Sequence, residues 1–299
     1  MTIKTMIKDK FLQLSAADYT DRGTRRPLNE DTVFHQTNHL SDGRTAGLYL
    51  ICDGMGGLNA GNVASQLASN KIVAEMAGLF YPNQWVAADN ERTQPAFCTL
   101  THQLKKAVEA ANRELFIYSQ QKSEFAGKMG TTVTAALVYG NWLHIAHVGD
   151  SRAYLWRDGT LKQLTRDHSM AVQLLEAGLL DPAKSFKHPT RNRLLKAVGV
   201  EKQVTVDVCT QELRTGDKIL LCSDGLWQAF PDETKLQQWL DSPTEPAELV
   251  RQLGAEARER DGSDNISAVL ITVDEMYSWD LPLVKAVAHF IREDLALAR

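Results

Sequence analysis

The sequence is short of the features that mark several large functional classes. Only four cysteines occur among its 299 residues, and Cys52, Cys98, Cys209 and Cys222 form no C-x-x-C pair. That spacing supports neither a disulfide framework nor a zinc site, so reduced thiols of a cytoplasmic protein are expected. No stretch approaches the roughly 18 apolar residues that span a bilayer. The first residues, MTIKTMIKDKFLQL, lack the apolar core and small-residue cleavage site of a secretory leader. Positive charge is not in excess either: 33 Lys and Arg stand against 37 Asp and Glu, a formal net charge of −4. A nucleic-acid binder that relies on bulk positive charge is excluded on that balance. Internal repeats and low-complexity tracts are likewise missing, which makes one continuous domain the expectation.

What is present is an ordinary globular balance, 43% hydrophobic and 23% charged, able to bury a sizeable core. A strand around Leu12 to Ala16 leads to the turn-prone Asp21-Arg22-Gly23, followed by a short strand near Val33 and a buried one over Gly47 to Cys52. Two helical faces come next, one of Ala64, Ala68, Ile72 and Met76, the other of Leu104, Val108, Ala111, Leu115 and Tyr118. Between them, Tyr81 to Pro95 is polar, contains two prolines and reads as a surface loop. The centre alternates β-rich runs with tight glycine turns: 131–139 into 142–148 across Gly140-Asn141, and 152–156 into 160–164 across Asp158-Gly159. Such runs predict antiparallel hairpins, since a parallel sheet needs helical crossovers that do not fit here. A strand over Lys218 to Cys222, helices near 233–240 and 246–260, and a strand over Ile266 to Val273 complete an α+β class.

The aspartates stand where chemistry is built. Leu48-Tyr-Leu-Ile-Cys-Asp53-Gly54 and Ile219-Leu-Leu-Cys-Ser-Asp224-Gly225 are apolar strands ending in the same device. Leu143-His-Ile-Ala-His-Val-Gly-Asp150 ends similarly, Asp264 precedes the last core strand, and Glu30-Asp31 precede an early one. Carboxylates at strand ends are held by a rigid sheet, and a neighbouring glycine permits close approach of backbone or ligand. A single Asp-Gly is an ordinary turn dipeptide; the pattern lies in the repetition, and spacing alone leaves convergence open. If the groups converge, either some protonate or cations neutralise them. An all-oxygen donor set with no Cys/His cluster favours Mg²⁺ or Mn²⁺ over Zn²⁺. Two such ions roughly 3.5–4 Å apart can share a water, lower its pKa and aim it at phosphorus.

In their order these elements resemble the metal-dependent serine/threonine protein phosphatases of type 2C. The resemblance runs from about Leu12 to Val273 through Asp21-Arg-Gly-Thr-Arg-Arg26-Pro-Leu-Asn-Glu30-Asp31, Asp53-Gly-Met-Gly-Gly57, Gly61 with Ala64-Ser65, Gly130-Thr-Thr132, Gly149-Asp-Ser-Arg-Ala153, Ser223-Asp-Gly225 and Asp264-Asn265. It implies a four-layer sandwich, two central, mainly antiparallel β-sheets flanked by helices. It also implies hydrolysis of phosphoserine and phosphothreonine in proteins by a water bridging two Mn²⁺ or Mg²⁺ ions, and a cognate Ser/Thr kinase whose action is reversed. Asp53 then matches the carboxylate that bridges both metals, with the Gly54 carbonyl on one of them. Asp224 and Asp264 match ligands of the other metal. Glu30 and Asp31 match positions holding the second directly or through water. Asp150 matches a ligand of a third, weaker metal, and Arg26 the arginine that grips substrate phosphate. The glycine loop after Asp53 lacks the Lys-Ser/Thr ending of a nucleotide P-loop, and no His-Arg-Asp kinase loop occurs.

Two positions depart from the family pattern. Met55 stands where some members carry a histidine proposed as general acid, so the leaving-group proton must come from solvent or another residue. Gln228 stands where many carry another aspartate, which weakens the expected third metal site. His144, His147, His168 and His188 have no ligand spacing and are expected in strand packing or on the surface. Within the catalytic region, 12–274, residues 169–200 match a flap-like insertion; its Lys184, Lys187, Arg191, Arg193 and Lys196 either contact the phosphoprotein or are solvated surface. Residues 1–11 are an N-terminal extension. The 275–299 tail presents Leu283, Val287, Phe290 and Ile291 on one helical face and is expected to pack back on the domain. Two other functions are compatible with these residues: a phosphoprotein-binding pseudophosphatase, against which the intact acidic set argues, and a two-metal phosphoesterase acting on small substrates.

Overall fold

The apolar segment Leu48 to Cys52 lies within β3 (Thr45–Met55) and shows how the layers form. Successive side chains of a strand point to opposite faces. Leu48, Leu50 and Cys52 pack among helices, whereas Tyr49 and Ile51 point to a second sheet. A strand covered on both faces needs an apolar residue at every position, and that is why this segment has no alternation. β10 (Lys218–Cys222) follows the same rule, with Leu220 and Cys222 under helices and Ile219 and Leu221 facing inward.

The computed structural model describes residues 10–40, 44–56, 60–80, 97–122, 129–181, 190 and 193–277. The remaining strands are β1 (Lys10–Asp21), β2 (Asp31–His39), β4 (Gly130–Thr131), β5 (Val133–Tyr139), β6 (Trp142–Val148), β7 (Arg152–Arg157), β8 (Thr160–Gln163), β9 (Asp207–Glu212) and β11 (Ile266–Tyr277). One sheet has the order β1-β11-β10-β7-β8 and the other β2-β3-β5-β6-β9, with β4 paired to β3. Every pairing is antiparallel. Helices α1 (Ala60–Met76) and α2 (Phe97–Gln121) cover the second sheet; α4 (Asp224–Trp227), α5 (Glu233–Asp241) and α6 (Pro246–Arg260) cover the first. A short α3 (Met170–Glu176) is capped by Ser169 through the Val172 N–H. The expected four-layer α+β sandwich is the observed one.

Between the sheets, Leu14, Tyr49, Ile51, Ala136, Val138, Leu143, Ile145, Leu155, Ile219, Leu221, Val269 and Ile271 form a dry inner layer. At about 1.5–3 kcal/mol for each fully buried large aliphatic side chain, this layer fixes the spacing of the two sheets. Both predicted hairpin turns occur: Asp158 and Gly159 take φ of 49° and 74°, and Gly140 takes 58°. These positive values suit two-residue connections. The outer strands run longer than expected, from Lys10 and to Tyr277. β9 was not anticipated. It is a sheet-edge strand, Asp-Val-Cys-Thr-Gln-Glu, with Val208, Thr210 and Glu212 exposed, so its polarity hides it. The expected loop over 81–95, His188, the basic residues Lys184, Lys187 and Arg191, and the tail helix from Trp279 lie outside the described residues.

Antiparallel pairing brings the functional strand ends to one edge. Asp31, opening β2, lies directly opposite Asp53, near the end of β3. The β6–β7 connection, the end of β10 and the start of β11 bring Asp150, Asp224 and Asp264 to the same place.

Candidate active site

A cleft of ≈ 190 Å³ lies at that edge, lined by Arg26, Asp53, Gly54, Asp150, Asp224 and Asp264, with Glu30 and Met55 beside them. A larger cavity, ≈ 420 Å³, lies between α2 and residues 202–204 but contains none of these aspartates, so the chemistry and not the volume marks the site.

Asp53, Glu30 and Asp150 are held through their backbones by uncharged groups. The Asp53 N–H donates to Thr132 Oγ1 at 3.0 Å, and the Asp53 carbonyl accepts from the Thr132 N–H at 2.8 Å and from Thr131 Oγ1 at 2.9 Å. Gly54 packs against the start of α1, where a Cβ would stand 2.1 Å from the Gly61 carbonyl oxygen. Any side chain at Gly54 would push α1 off the strand end. The Glu30 carbonyl accepts from the Gly54 N–H at 3.2 Å and from Ser65 Oγ at 2.6 Å. Asn265 ties the loop carrying Arg26 to β11: its Oδ1 accepts from the Glu30 N–H at 2.8 Å, and its Nδ2 donates to the carbonyls of Arg22 and Leu28, each at 2.9 Å. Asp150 is fixed from behind, its carbonyl accepting from Trp227 Nε1 at 3.0 Å. The Arg152 guanidinium lies 3.6 Å over the Trp227 ring and makes a two-pronged contact with buried Asp167. A desolvated cation over an indole face stabilises by about 2 kcal/mol, which keeps Trp227 in place.

The electrostatics are those of crowded negative charge. Burial first, then the neighbouring carboxylates, push the Asp53 and Asp224 carboxyls well above the usual range. Burial and Asp167 raise Asp150 to about 7, and burial raises Asp31 to about 6. Asp31 differs in its partners, for it is 8% exposed and neither of its buried oxygens has a hydrogen-bond partner. The Ser267 and Ser223 hydroxyls oppose its shift without closing a hydrogen bond of good geometry. Buried carboxylates without partners are rare and costly. Two other carboxylates are partly satisfied: Arg26 Nη2 donates to Asp264 Oδ2 at 2.6 Å, and Gln228 Nε2 donates to Asp224 Oδ2 at 2.8 Å. Among the described residues, no three His, Cys, Asp or Glu side chains are grouped so as to close on one ion. The donors instead line the walls of one cleft, and every one of them is an oxygen.

All of the sequence-predicted site residues, Arg26, Glu30, Asp31, Asp53, Gly54, Asp150, Asp224 and Asp264, fall at this cleft or directly behind it. Gln228 also reaches it, as a donor rather than an acceptor. His144 and His147 lie in β6 as strand residues and, like His168 ahead of α3, are buried. Thr132, Asn265, Trp227 and Arg152 had been given no role in advance, because their part is to hold backbone that only the fold brings near.

The family model of protein phosphatase 2C matches residues 19–174, from β1 into α3. The chain belongs to the protein phosphatase 2C family. It is 36% identical over 257 residues to the serine/threonine phosphatase stp of Listeria monocytogenes serotype 4b, covering 85% of this chain and 94% of that one. The crystal structure of the Mycobacterium tuberculosis serine/threonine phosphatase PstP/Ppp superposes with a TM-score of 0.73 at 34% identity, covering 87% of this chain and 99% of that one. A structure of the PstP catalytic domain in complex with two manganese ions superposes with a TM-score of 0.71 at 33% identity, covering 88% of this chain and 99% of that one. The expected protein serine/threonine phosphatase is therefore the class to which this chain belongs.

The raised carboxyls make a prediction about stability. A carboxyl whose pKa is higher folded than unfolded binds the extra proton in the native state, so stability falls as pH rises between the two values. For Asp31 and Asp150 that window runs from about pH 4, the unfolded value, to about 6 and 7. Chelator-treated protein should lose stability to urea as pH rises through this window, and Asp31→Asn should flatten the dependence. An unchanged pH slope in Asp31→Asn would show that the Asp31 carboxyl does not titrate in this window.

Proposed function

We propose that this phosphatase hydrolyses phosphoserine and phosphothreonine in proteins with two divalent cations, Mn²⁺ or Mg²⁺, held at the carboxylate cleft. The observation that carries the reading is Asp31, a buried carboxylate without a hydrogen-bond partner, lying opposite Asp53 in a cleft whose other walls are Asp150, Asp224 and Asp264. Hard divalent cations suit such an oxygen set. Asp53 would bridge the two ions, with the Gly54 carbonyl, Glu30 and Asp31 serving one and Asp224 and Asp264 the other. Asp150 would serve a third ion, bound more weakly. When bound, such ions supply a water of lowered pKa and neutralise charge on the phosphoryl group.

The protein's own groups capture and orient the substrate. Arg26 has half of its side chain exposed at the cleft mouth while one nitrogen holds Asp264. Its remaining N–H groups are free to meet an arriving phosphate, a task that suits a planar guanidinium. Holding Asp264 at the same time couples phosphate capture to the acidic set. Met55 lines the cleft and has no proton to give, so the serine or threonine leaving oxygen takes its proton from solvent or from another residue. The partners are phosphoproteins and, by the same reasoning, a cognate Ser/Thr kinase in the cytoplasm. No helix among the described residues is long and apolar enough to cross a membrane.

Three outcomes are expected. Hydrolysis of a phosphothreonine peptide should vanish with chelator, return with Mn²⁺ or Mg²⁺, and be absent in Asp53→Ala; full activity in chelator would overturn the metal reading. Arg26→Ala should raise KM about tenfold, roughly 1.4 kcal/mol of lost phosphate binding, with a smaller fall in kcat; unchanged steady-state kinetics would remove Arg26 from capture. Gln228→Asp exchanges a donor on Asp224 for a further carboxylate, so titration calorimetry should show a tighter weak-binding phase for Mn²⁺. Identical isotherms would detach position 228 from metal binding.

A further inference from the structure

Behind the Gly149–Asp150 turn lies a group of buried side chains that the proposed chemistry leaves unused. His147 on β6 and His168, which precedes α3, are 1% and 2% exposed, with ring centroids 5.1 Å apart. Asp207, the first residue of β9, stands across from His147 in the strand register, and Thr134 of β5 stands across from it on the other side.

The hydrogen bonds place the protons by elimination. The Gly149 N–H can only donate, and it points to His168 Nδ1 at 3.2 Å, so that nitrogen carries no proton. In a neutral ring the proton is then on Nε2, which lies 3.1 Å from the accepting Asp207 Oδ2. The Gly149 carbonyl can only accept, so His147 Nε2, 3.1 Å away, carries its ring's proton. His147 Nδ1 lies 3.0 Å from Thr134 Oγ1, whose single proton is shared with the Ser151 carbonyl at 3.1 Å. The His168 backbone N–H donates to the same Gly149 carbonyl at 2.6 Å. Neutral rings agree with the surroundings, since burial pushes His147 down to about 3 and lowers His168 despite the Asp207 carboxylate.

Gly149 is thus held at both its N–H and its C=O, and it has a φ of +117°. A Cβ there would stand 2.5 Å from Thr132 Cγ2, so the turn is closed to any other residue. Asp150 follows directly and is pinned again through its carbonyl by Trp227. We propose that His147 and His168 are positioning residues, a proton-ordered clamp on Gly149 that sets the place of the Asp150 carboxylate and, through it, turnover rather than substrate capture. This rests on the phosphatase reading of the cleft, and on Asp150 acting there.

Two polar substitutions separate the clamp from mere packing. In His168→Asn, the side-chain oxygen can occupy the Nδ1 position and accept from the Gly149 N–H; in His168→Gln, the amide reaches toward Asp207 and leaves that N–H unpaired. The full chain is assayed with a phosphothreonine peptide at saturating Mn²⁺. Losing such a supporting hydrogen bond typically costs about 10–100-fold, so His168→Gln should lose that much kcat with KM within about twofold, and His168→Asn should stay within about threefold of wild type. In an Asp150→Ala background the His168→Gln loss should disappear, since the clamp has nothing left to place. Nitrogen NMR should show wild-type His168 as the neutral Nε2–H tautomer between about pH 6 and 8.

Equal activity of the Asn and Gln variants, or a full His168→Gln loss in the Asp150→Ala background, overturns the clamp and leaves the phosphatase reading standing. An unimpaired Asp150→Ala protein overturns the clamp together with the role given to Asp150. If wild type hydrolyses no phosphopeptide, the phosphatase reading fails, and turnover control fails with it. Should either His168 variant not fold, the tautomer decides: a protonated or Nδ1–H ring overturns the clamp.

Discussion

Mutual repulsion among Asp31, Asp53, Asp150, Asp224 and Asp264 is the interaction around which the rest of the structure is arranged. Left to themselves, charges this close in a low-dielectric cleft would drive the strand ends apart or take up protons. The chain resists the first by anchoring each carboxylate to a sheet edge whose spacing is set by the aliphatic layer between the sheets. The anchors are neutral: Thr131 and Thr132 on the Asp53 backbone, Asn265 on the Glu30 loop, Trp227 on Asp150. Using neutral anchors leaves most of the negative charge uncompensated. That is the condition a divalent cation requires, and a salt-bridged cluster would not meet it.

Arg26 and Gln228 contact the carboxylates themselves: Arg26, a cation, on Asp264, and the Gln228 amide on Asp224. Both contact the group fed by β10 and β11, where Asp224 and Asp264 meet, and neither contacts Asp31. The cleft therefore runs from a side where Arg26 and Gln228 contact Asp264 and Asp224 to a side against β2 where Asp31 has no hydrogen-bond partner. A phosphate dianion approaching from solvent meets the guanidinium first.

Strand ends were legible in the sequence because the two sheets bury β3 and β10 on both faces. An unbroken apolar run followed by Asp-Gly leaves little doubt about where the sheet stops. Helices α1 and α2 were equally plain, since Ala64, Ala68 and Ile72, and Leu104, Val108 and Leu115, all face the core. β9 was hidden by polarity, as an edge strand needs apolar residues on one face at most and here exposes Val208 and Thr210. Within the site, residues whose own side chain meets ligand were recognisable by type and position. Those that act on someone else's backbone were not. Asn265 joins Arg22, Leu28 and Glu30 across more than two hundred residues of sequence, and no local pattern announces such a contact.

That long reach bears on how the protein comes into being. Arg26 and Asp264 touch although 238 positions separate them, and among the described residues β1 pairs with β11 alone. Ribosomal synthesis delivers the chain from its N-terminus at about 5–20 residues per second. Asp53 is thus made well before the strand that completes its cleft. Until β11 has emerged and paired, the backbone of β1 lacks its ladder partner, the loop carrying Arg26 has no Asn265, and the acidic wall is incomplete. A chain truncated before β11 would lack Asp264, Asn265 and the ladder partner of β1 together. Assembly of the cleft waits on β11 because the strand that opens the fold pairs with the one that closes it.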